Sequence, residues 1–119
     1  MPLRMSLDRS NRDAPVITVG GDLVYTSAAP LHAEVDRILA DKPALLVLDF
    51  AALEFIDSTG LGVIVHAWRE GQQSGTALEL RAVPRFLATI LDMTGVTGLL
   101  ARPLGDPHAD AAARPAGRG

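Results

Sequence analysis

The chain has 119 residues, 48% of them hydrophobic and 21% charged, a balance that predicts one globular domain instead of a disordered chain. The net charge of −3 argues against direct nucleic-acid binding, because a basic face supplies most of the affinity for a phosphate backbone. With no cysteine, no apolar run of about 18 residues and no signal-peptide pattern, we expect a cytoplasmic protein without disulfides, thiolate sites or membrane insertion.

The N-terminal part of the chain predicts a β-hairpin. Leu3, Met5 and Leu7 alternate with polar residues, which is typical of a half-buried strand. The β-branched run 16–19 predicts a second strand that pairs back on the first. We expect this second strand to end at residues 20–22, where two glycines and an aspartate follow.

A helix and a buried strand come next. Thr26 and Ser27 are candidate N-caps for a first helix that ends at residues 41–43. Its apolar residues recur at helical spacing on one face and are Leu31, Val35, Ile38 and Leu39. The continuous apolar run 45–48 predicts a central strand covered on both faces, and we expect segment 50–55 after it to be a linker.

The second half predicts two further helices with a strand between them. We expect one helix from about Ser58 to residues 71–75, and its predicted apolar face consists of Leu61, Ile64, Val65 and Trp68. An alternating strand follows at 78–81. The last helix opens at Pro84 and is capped near Gly95, and its predicted inward residues are Leu87, Ile90 and Leu91.

The C-terminal end predicts a short strand at 99–100 and a disordered tail at 105–119, which lacks large apolar residues. The order β-β-α-β-α-β-α-(β) therefore predicts a single α/β domain over residues 1–104. Because strand–helix–strand crossovers are right-handed, we expect a mixed sheet of four to five strands with the helices mainly on one face.

The segment at the start of the second predicted helix carries the functional signal. Asp57, Ser58 and Thr59 suit a helix start, because their side chains accept from the unpaired amides of a first turn. Gly60 and Gly62 each cost a helix about 1 kcal/mol, which capping does not explain. Two explanations stay open: another surface approaches this helix end, or the glycines pack tightly on the protein's own sheet.

A phosphate at this helix start would be physically tolerated. The first-turn amides and the helix dipole favour an anion on Ser58, and phosphorylation adds about −1.5 to −2 charges. Leu61 and Val63 would contribute apolar surface around the same turn. Such a modification would switch an interface without unfolding the domain.

The sequence FIDSTGLG at 55–62, together with the element order, resembles the STAS domain of anti-sigma factor antagonists over about residues 3–100. The resemblance implies a non-enzymatic domain without cofactor. Its unphosphorylated form binds an anti-sigma factor that is also an ATP-dependent serine kinase, and this frees the sigma factor. Phosphorylation of Ser58 switches binding off, and a serine phosphatase restores it. Thr59 is implied as a minor acceptor. The implied partner-binding residues are Asp22, Asp57, Ser58, Thr59, Gly60, Leu61 and Gly62.

One position departs from the family pattern. The family places an acidic residue after Gly-Glu-Leu, whereas this chain has Val24, and Asp22 matches only the preceding acidic position. This departure leaves a second interpretation open. The domain could be a STAS-type adaptor, or a small-ligand or nucleotide-binding module in a larger complex, without regulation by phosphorylation.

Other chemistry is not indicated. His32, His66 and His108 lie on two different predicted helices and in the tail, without metal-ligand spacing, so we expect no metal site. The glycines lack a dinucleotide fingerprint, and no P-loop lysine is present. A nucleophile elbow would need glycine at Ile56, so we expect no catalytic residue.

Overall fold

The computed structural model describes residues 2–100, which form a four-stranded sheet in the order β1-β2-β3-β4. The strands are β1 Arg4–Asp8, β2 Val16–Leu23, β3 Leu45–Ile56 and β4 Ala77–Arg81. The helices are α1 Ala28–Ala40, α2 Ser58–Ser74, α3 Arg85–Met93 and α4 Val96–Leu100. β1 pairs antiparallel with β2, and the other two pairings are parallel, so the predicted mixed α/β sheet is confirmed.

The core lies between one face of the sheet and the helices. Alternate residues of the two central strands point into it, and they include Ile17, Val19, Leu46, Leu48 and Phe50, all fully buried. The apolar faces of α1, α2 and α3 join the same cluster through residues such as Leu31, Val35, Ile64, Leu87 and Leu91. Because both crossovers lead to the neighbouring parallel strand, a common hand places α1 and α2 on one face of the sheet, where they contact each other.

Two predicted boundaries in the sheet were wrong. β2 continues through the glycine pair to Leu23, and segment 50–55 belongs to β3 instead of forming a linker. The two errors have one cause, since Gly20 to Leu23 pair in parallel with Ala52 to Ile56. The register shifts just before this pairing, between Thr18 and Gly20, and again within it, between Gly21 and Asp22, so burial along the end of β3 does not alternate with the period of two that identifies a strand.

The inward face of α2 also differs from the prediction. Ile64 is buried as expected, but Leu61, Val65 and Trp68 are only half-buried. Small residues take their place, and the buried positions of the helix are Gly60, Val63, Ile64, Ala67 and Gly71. Small side chains let the helix approach the sheet closely, and a search for large apolar residues overlooks them.

The C-terminal elements agree with the predicted glycine at the end of α3 and correct the predicted last strand. α3 is capped at Thr94, and Gly95 follows in the left-handed conformation with φ of 81°. The chain then enters the short helix α4, so a strand at 99–100 was a wrong prediction. The predicted tail at 105–119 and the domain boundary at 104 lie outside the described residues.

No helix within residues 2–100 combines the length and apolar character that a membrane span requires.

Candidate functional site at the start of α2

Asp57 connects the start of α2 to the loop between β2 and α1. It follows the last residue of β3 in an extended conformation and is the N-cap of α2. Its Oδ1 accepts a hydrogen bond from the Gly60 amide at 2.9 Å, and its Oδ2 accepts one from the Tyr25 amide at 2.9 Å. One carboxylate therefore holds two separate backbone segments together with charge-assisted hydrogen bonds.

The same contacts keep Asp57 ionised. The Gly60 amide, and after it the Tyr25 amide, hold the pKa of Asp57 below its usual value, and partial desolvation opposes them only in part. A negative charge consequently lies directly beside Ser58 at neutral pH. The Gly60 amide is already occupied, so an anion on Ser58 would rely on the helix dipole and not on this first-turn donor.

The loop before α1 is shaped by Ser27. Its hydroxyl donates to the carbonyl of Asp22 at 2.7 Å and accepts from the amide of Val24 at 3.0 Å. Ser27 occupies the N-cap position of α1, but its side chain bonds this loop and no first-turn amide of the helix. Thr26 is exposed and is not the cap. The loop therefore has a defined shape beside Asp57.

Ser58 and Thr59 are the first two residues of α2, and both are exposed. The predicted helix start at Ser58 is confirmed. An exposed hydroxyl on a capped helix end is accessible to other molecules. A group added there would change the surface while the cap that Asp57 provides stays in place.

The two glycines of the first turns have different surroundings. A Cβ at Gly60 would lie 2.3 Å from the carbonyl oxygen of Leu23 and 2.6 Å from Cγ1 of Ile56. Gly60 is thus explained by close packing of the helix on the protein's own strands. A Cβ at Gly62 would meet no atom within 4 Å among residues 2–100, and Gly62 is exposed. Own-sheet packing accounts for the first glycine and leaves the second unexplained.

The apolar residues near the site also differ from the expectation. Val63 is buried in the core and contributes no docking surface, whereas Leu61 is half-buried against the core. The exposed apolar groups are instead Tyr25, 79% exposed, and Phe55, 55% exposed. Tyr25 is tied to Asp57 by its backbone, and Phe55 pairs with Asp22 across β2 and β3.

We call the surface formed by Asp22, Tyr25, Phe55, Ser58, Thr59 and Gly62 the α2-start surface. The predicted residues come to the same end of the molecule, because β2 and β3 run in parallel and end at the same edge: Asp22 lies near the end of β2, and Asp57, Ser58 and Thr59 directly follow β3. Sequence patterns missed Tyr25 and Phe55. A signal for Phe55 existed, since it is a large apolar residue next to Glu54 and two residues before Asp57, the predicted helix cap.

The histidines contradict their predicted isolation. The rings of His32 on α1 and His66 on α2 stack with centroids 3.9 Å apart, and both contact Asp36. The two histidines are far apart in the sequence, so their spacing gave no indication that they are in contact. The i, i+4 spacing of His32 and Asp36 was the local signal available.

The fold and this site identify the class of protein. The family model described as "Mlab, STAS domain" matches residues 6–101, and the chain therefore belongs to the STAS domain family. The predicted family is confirmed.

The chain is similar in sequence to two proteins named as anti-sigma factor antagonists. The chain is 37% identical over 49 residues to the anti-sigma-F factor antagonist RsfB of Mycobacterium tuberculosis, and the match spans 41% of this chain and 40% of that protein. It is 28% identical over 100 residues to the anti-sigma-B factor antagonist of Bacillus subtilis, which covers 84% of this chain and 90% of that protein.

Solved structures share the fold. An anti-sigma factor antagonist from Mycobacterium paratuberculosis superposes with a TM-score of 0.70 at 22% identity and covers 94% of both chains. The Bacillus cell fate determinant SpoIIAA in its phosphorylated form gives a TM-score of 0.66 at 20% identity, covering 80% of this chain and 86% of that one. At these identities the likeness supports the STAS fold.

Proposed function

We propose that this STAS domain is an anti-sigma factor antagonist, a binding module and not an enzyme. Its unphosphorylated form binds an anti-sigma factor through the α2-start surface and so frees a sigma factor. The observation that carries the proposal is the exposed Ser58 hydroxyl at a helix start capped by Asp57, on the same helix end as the uncovered Gly62. The names of the relatives matched over 41% and 84% of the chain support the same function.

The α2-start surface has the composition of a docking site. Tyr25 and Phe55 offer exposed aromatic area, and aromatic residues are enriched at interface centres. Gly62 leaves the helix backbone uncovered, so a partner backbone can approach it closely. The hydrogen bonds of Asp57 and Ser27 hold the loop and the helix start in one arrangement, which lowers the entropy cost of binding.

In this proposal the anti-sigma factor is also an ATP-dependent serine kinase. Oγ of Ser58 attacks the γ-phosphorus of ATP, the bond to the leaving ADP breaks, and the hydroxyl proton passes to a base of the kinase. A serine phosphatase reverses the state when water attacks the phosphoserine, which returns the hydroxyl and releases inorganic phosphate. Thr59, exposed at the next position, is proposed as a minor acceptor.

Phosphorylation would end binding through charge. It adds about −1.5 to −2 charges to Ser58, next to the ionised Asp57. A partner that packs against this surface would have to desolvate both anions, and like charges in an interface are strongly unfavourable. The fold would persist, because the Ser58 side chain is exposed and makes no core contact.

A second candidate function follows from Val24. This half-buried residue stands where the family places a carboxylate, in the loop that Ser27 shapes. A partner that relies on an acid at that position would lose an ion pair with this chain. The alternative is a STAS-type adaptor in a larger complex that is not regulated by phosphorylation.

A phosphorylation assay and a measurement of binding to the same kinase test the proposal. The purified chain is incubated with the cognate anti-sigma kinase and ATP, and mass spectrometry locates the phosphate. We expect the phosphate on Ser58. The variant Ser58→Ala should therefore lose this phosphorylation, whereas the matched variant Thr59→Ala should be phosphorylated on Ser58 like the wild type. Phosphate mainly on another residue would overturn the Ser58 assignment. Tight binding to the kinase with no phosphate transferred would favour the adaptor.

A further inference from the structure

Three side chains of the types that bind metal ions lie close together where α1 packs against α2. Nε2 of His66 lies 2.6 Å from Oδ1 of Asp36, and Nδ1 of His32 lies 3.4 Å from Oδ2 of the same carboxylate. The two imidazole rings stack with an angle of 19° between their planes. One ligand atom from each of the three residues lies within 4.8 Å of the other two.

We infer that His32, Asp36 and His66 form a binding site for one divalent transition-metal ion of the zinc class. Imidazole nitrogen and carboxylate oxygen are ligands that such ions bind at about 2.0–2.2 Å, which places neighbouring donors of a tetrahedral site about 3.4 Å apart. The three donors lie within 4.8 Å of one another, close to this spacing. Because the two rings are stacked and nearly parallel, each imidazole must turn about its side-chain torsions before both nitrogen lone pairs point at one ion. Two imidazoles and one carboxylate suit zinc, copper or nickel better than calcium or magnesium.

The positions of the donors are set by the core. His32 and Asp36 are one turn apart on α1, whose buried residues Leu31 and Val35 anchor that helix against the sheet. His66 comes from α2, next to the buried Ala67. An ion bound here would link the two helices.

The site is accessible and has room for a further ligand. The side chains of His32 and Asp36 are 45% and 50% exposed, and that of His66 is 23% exposed. Three protein ligands leave a fourth tetrahedral position for water or for a group from another molecule. His66 follows Ser58 by eight residues, about 12 Å along α2, so the metal site is separate from the proposed phosphorylation site.

Titration calorimetry tests the site on the full chain, with any purification tag removed and the protein treated with chelator. We expect saturable binding of one Zn²⁺ per chain and a higher melting temperature with the ion than without it. The variants Asp36→Asn, His32→Gln and His66→Gln should each weaken binding at least about tenfold. Circular dichroism of the metal-free variants checks that they fold, as expected for side chains that lie outside the buried core.

Two controls make the result specific. His108→Gln removes the remaining histidine and should leave the affinity unchanged. Ser58→Ala should also bind Zn²⁺ like the wild type, so failure of the proposed phosphorylation switch would not affect this test. Long-range ¹H–¹⁵N spectra should show the metal on Nδ1 of His32 and Nε2 of His66. Absence of binding, or equal binding by Asp36→Asn and the wild type, would overturn the inference.

Discussion

The inner and outer sides of the first turns of α2 differ in what they contact. On the inner side, Gly60 lies against the carbonyl of Leu23, and Val63 is buried in the core. On the outer side, Ser58, Thr59 and Gly62 are exposed. The two glycines of this short motif are therefore explained differently. Gly60 is required by close packing within the fold, and Gly62 lies on a surface that we propose contacts a partner.

Substitution of Gly60 should produce the largest change in stability. In Gly60→Ala the new Cβ would overlap the Leu23 carbonyl at 2.3 Å, so the helix or the strand must shift. We expect a loss of about 1–3 kcal/mol in the free energy of unfolding, although alanine is ordinarily the better helix former. Urea denaturation followed by circular dichroism measures it. An unchanged midpoint would show that the inner side is not tightly packed.

Ser58→Asp tests the outer side. We expect binding to the cognate anti-sigma factor to weaken at least about tenfold, or 1.4 kcal/mol, because a second charge joins Asp57 on the docking surface. The melting temperature should change little, since the side chain is exposed. Ser58→Ala is the matched control and should bind like the unphosphorylated wild type. Equal affinity in all three forms would contradict the switch.

Gly62→Ala separates stability from binding at the second glycine. The added methyl group would meet no atom within 4 Å in the described part of the chain, so the domain should gain about 0.5–1 kcal/mol in helix stability. The same methyl group should weaken binding to the partner, since it covers backbone that we propose is contacted. Denaturation and titration on one preparation compare the two effects. A more stable variant with unchanged affinity would place the partner elsewhere.

The smallest expected effect is the pH dependence that Asp57 contributes. Its pKa is lowered in the folded state, chiefly by the Gly60 amide, so its stabilising contribution is complete above the unfolded value of about 3.9. That contribution is lost as the pH falls through the lower folded-state pKa. The melting temperature of the wild type should exceed that of Asp57→Asn at neutral pH, and the difference should narrow below about pH 4. A constant difference would mean that the charge of Asp57 is not involved.

Local patterns predicted most of the architecture. Alternation identified β1 and β4, helical spacing identified α1, and the capping residues placed the start of α2 at Ser58. These features depend on neighbours within a few residues, which a sequence displays directly. The long end of β3 escaped because its hydrogen bonds go to β2, about 30 residues earlier, through an irregular register.

By itself, then, the sequence determined the α/β class, the STAS family and the helix start that presents Ser58, since each follows from short-range pattern and motif. Only the tertiary structure decided which glycine packs inward and which stays open, because that depends on the Leu23 carbonyl across the sheet. It also decided that Asp57 holds the Tyr25 loop and that His32 meets His66 beside Asp36. Contacts between residues some 30 positions apart arise from how the strands and helices pack, and no local spacing encodes them.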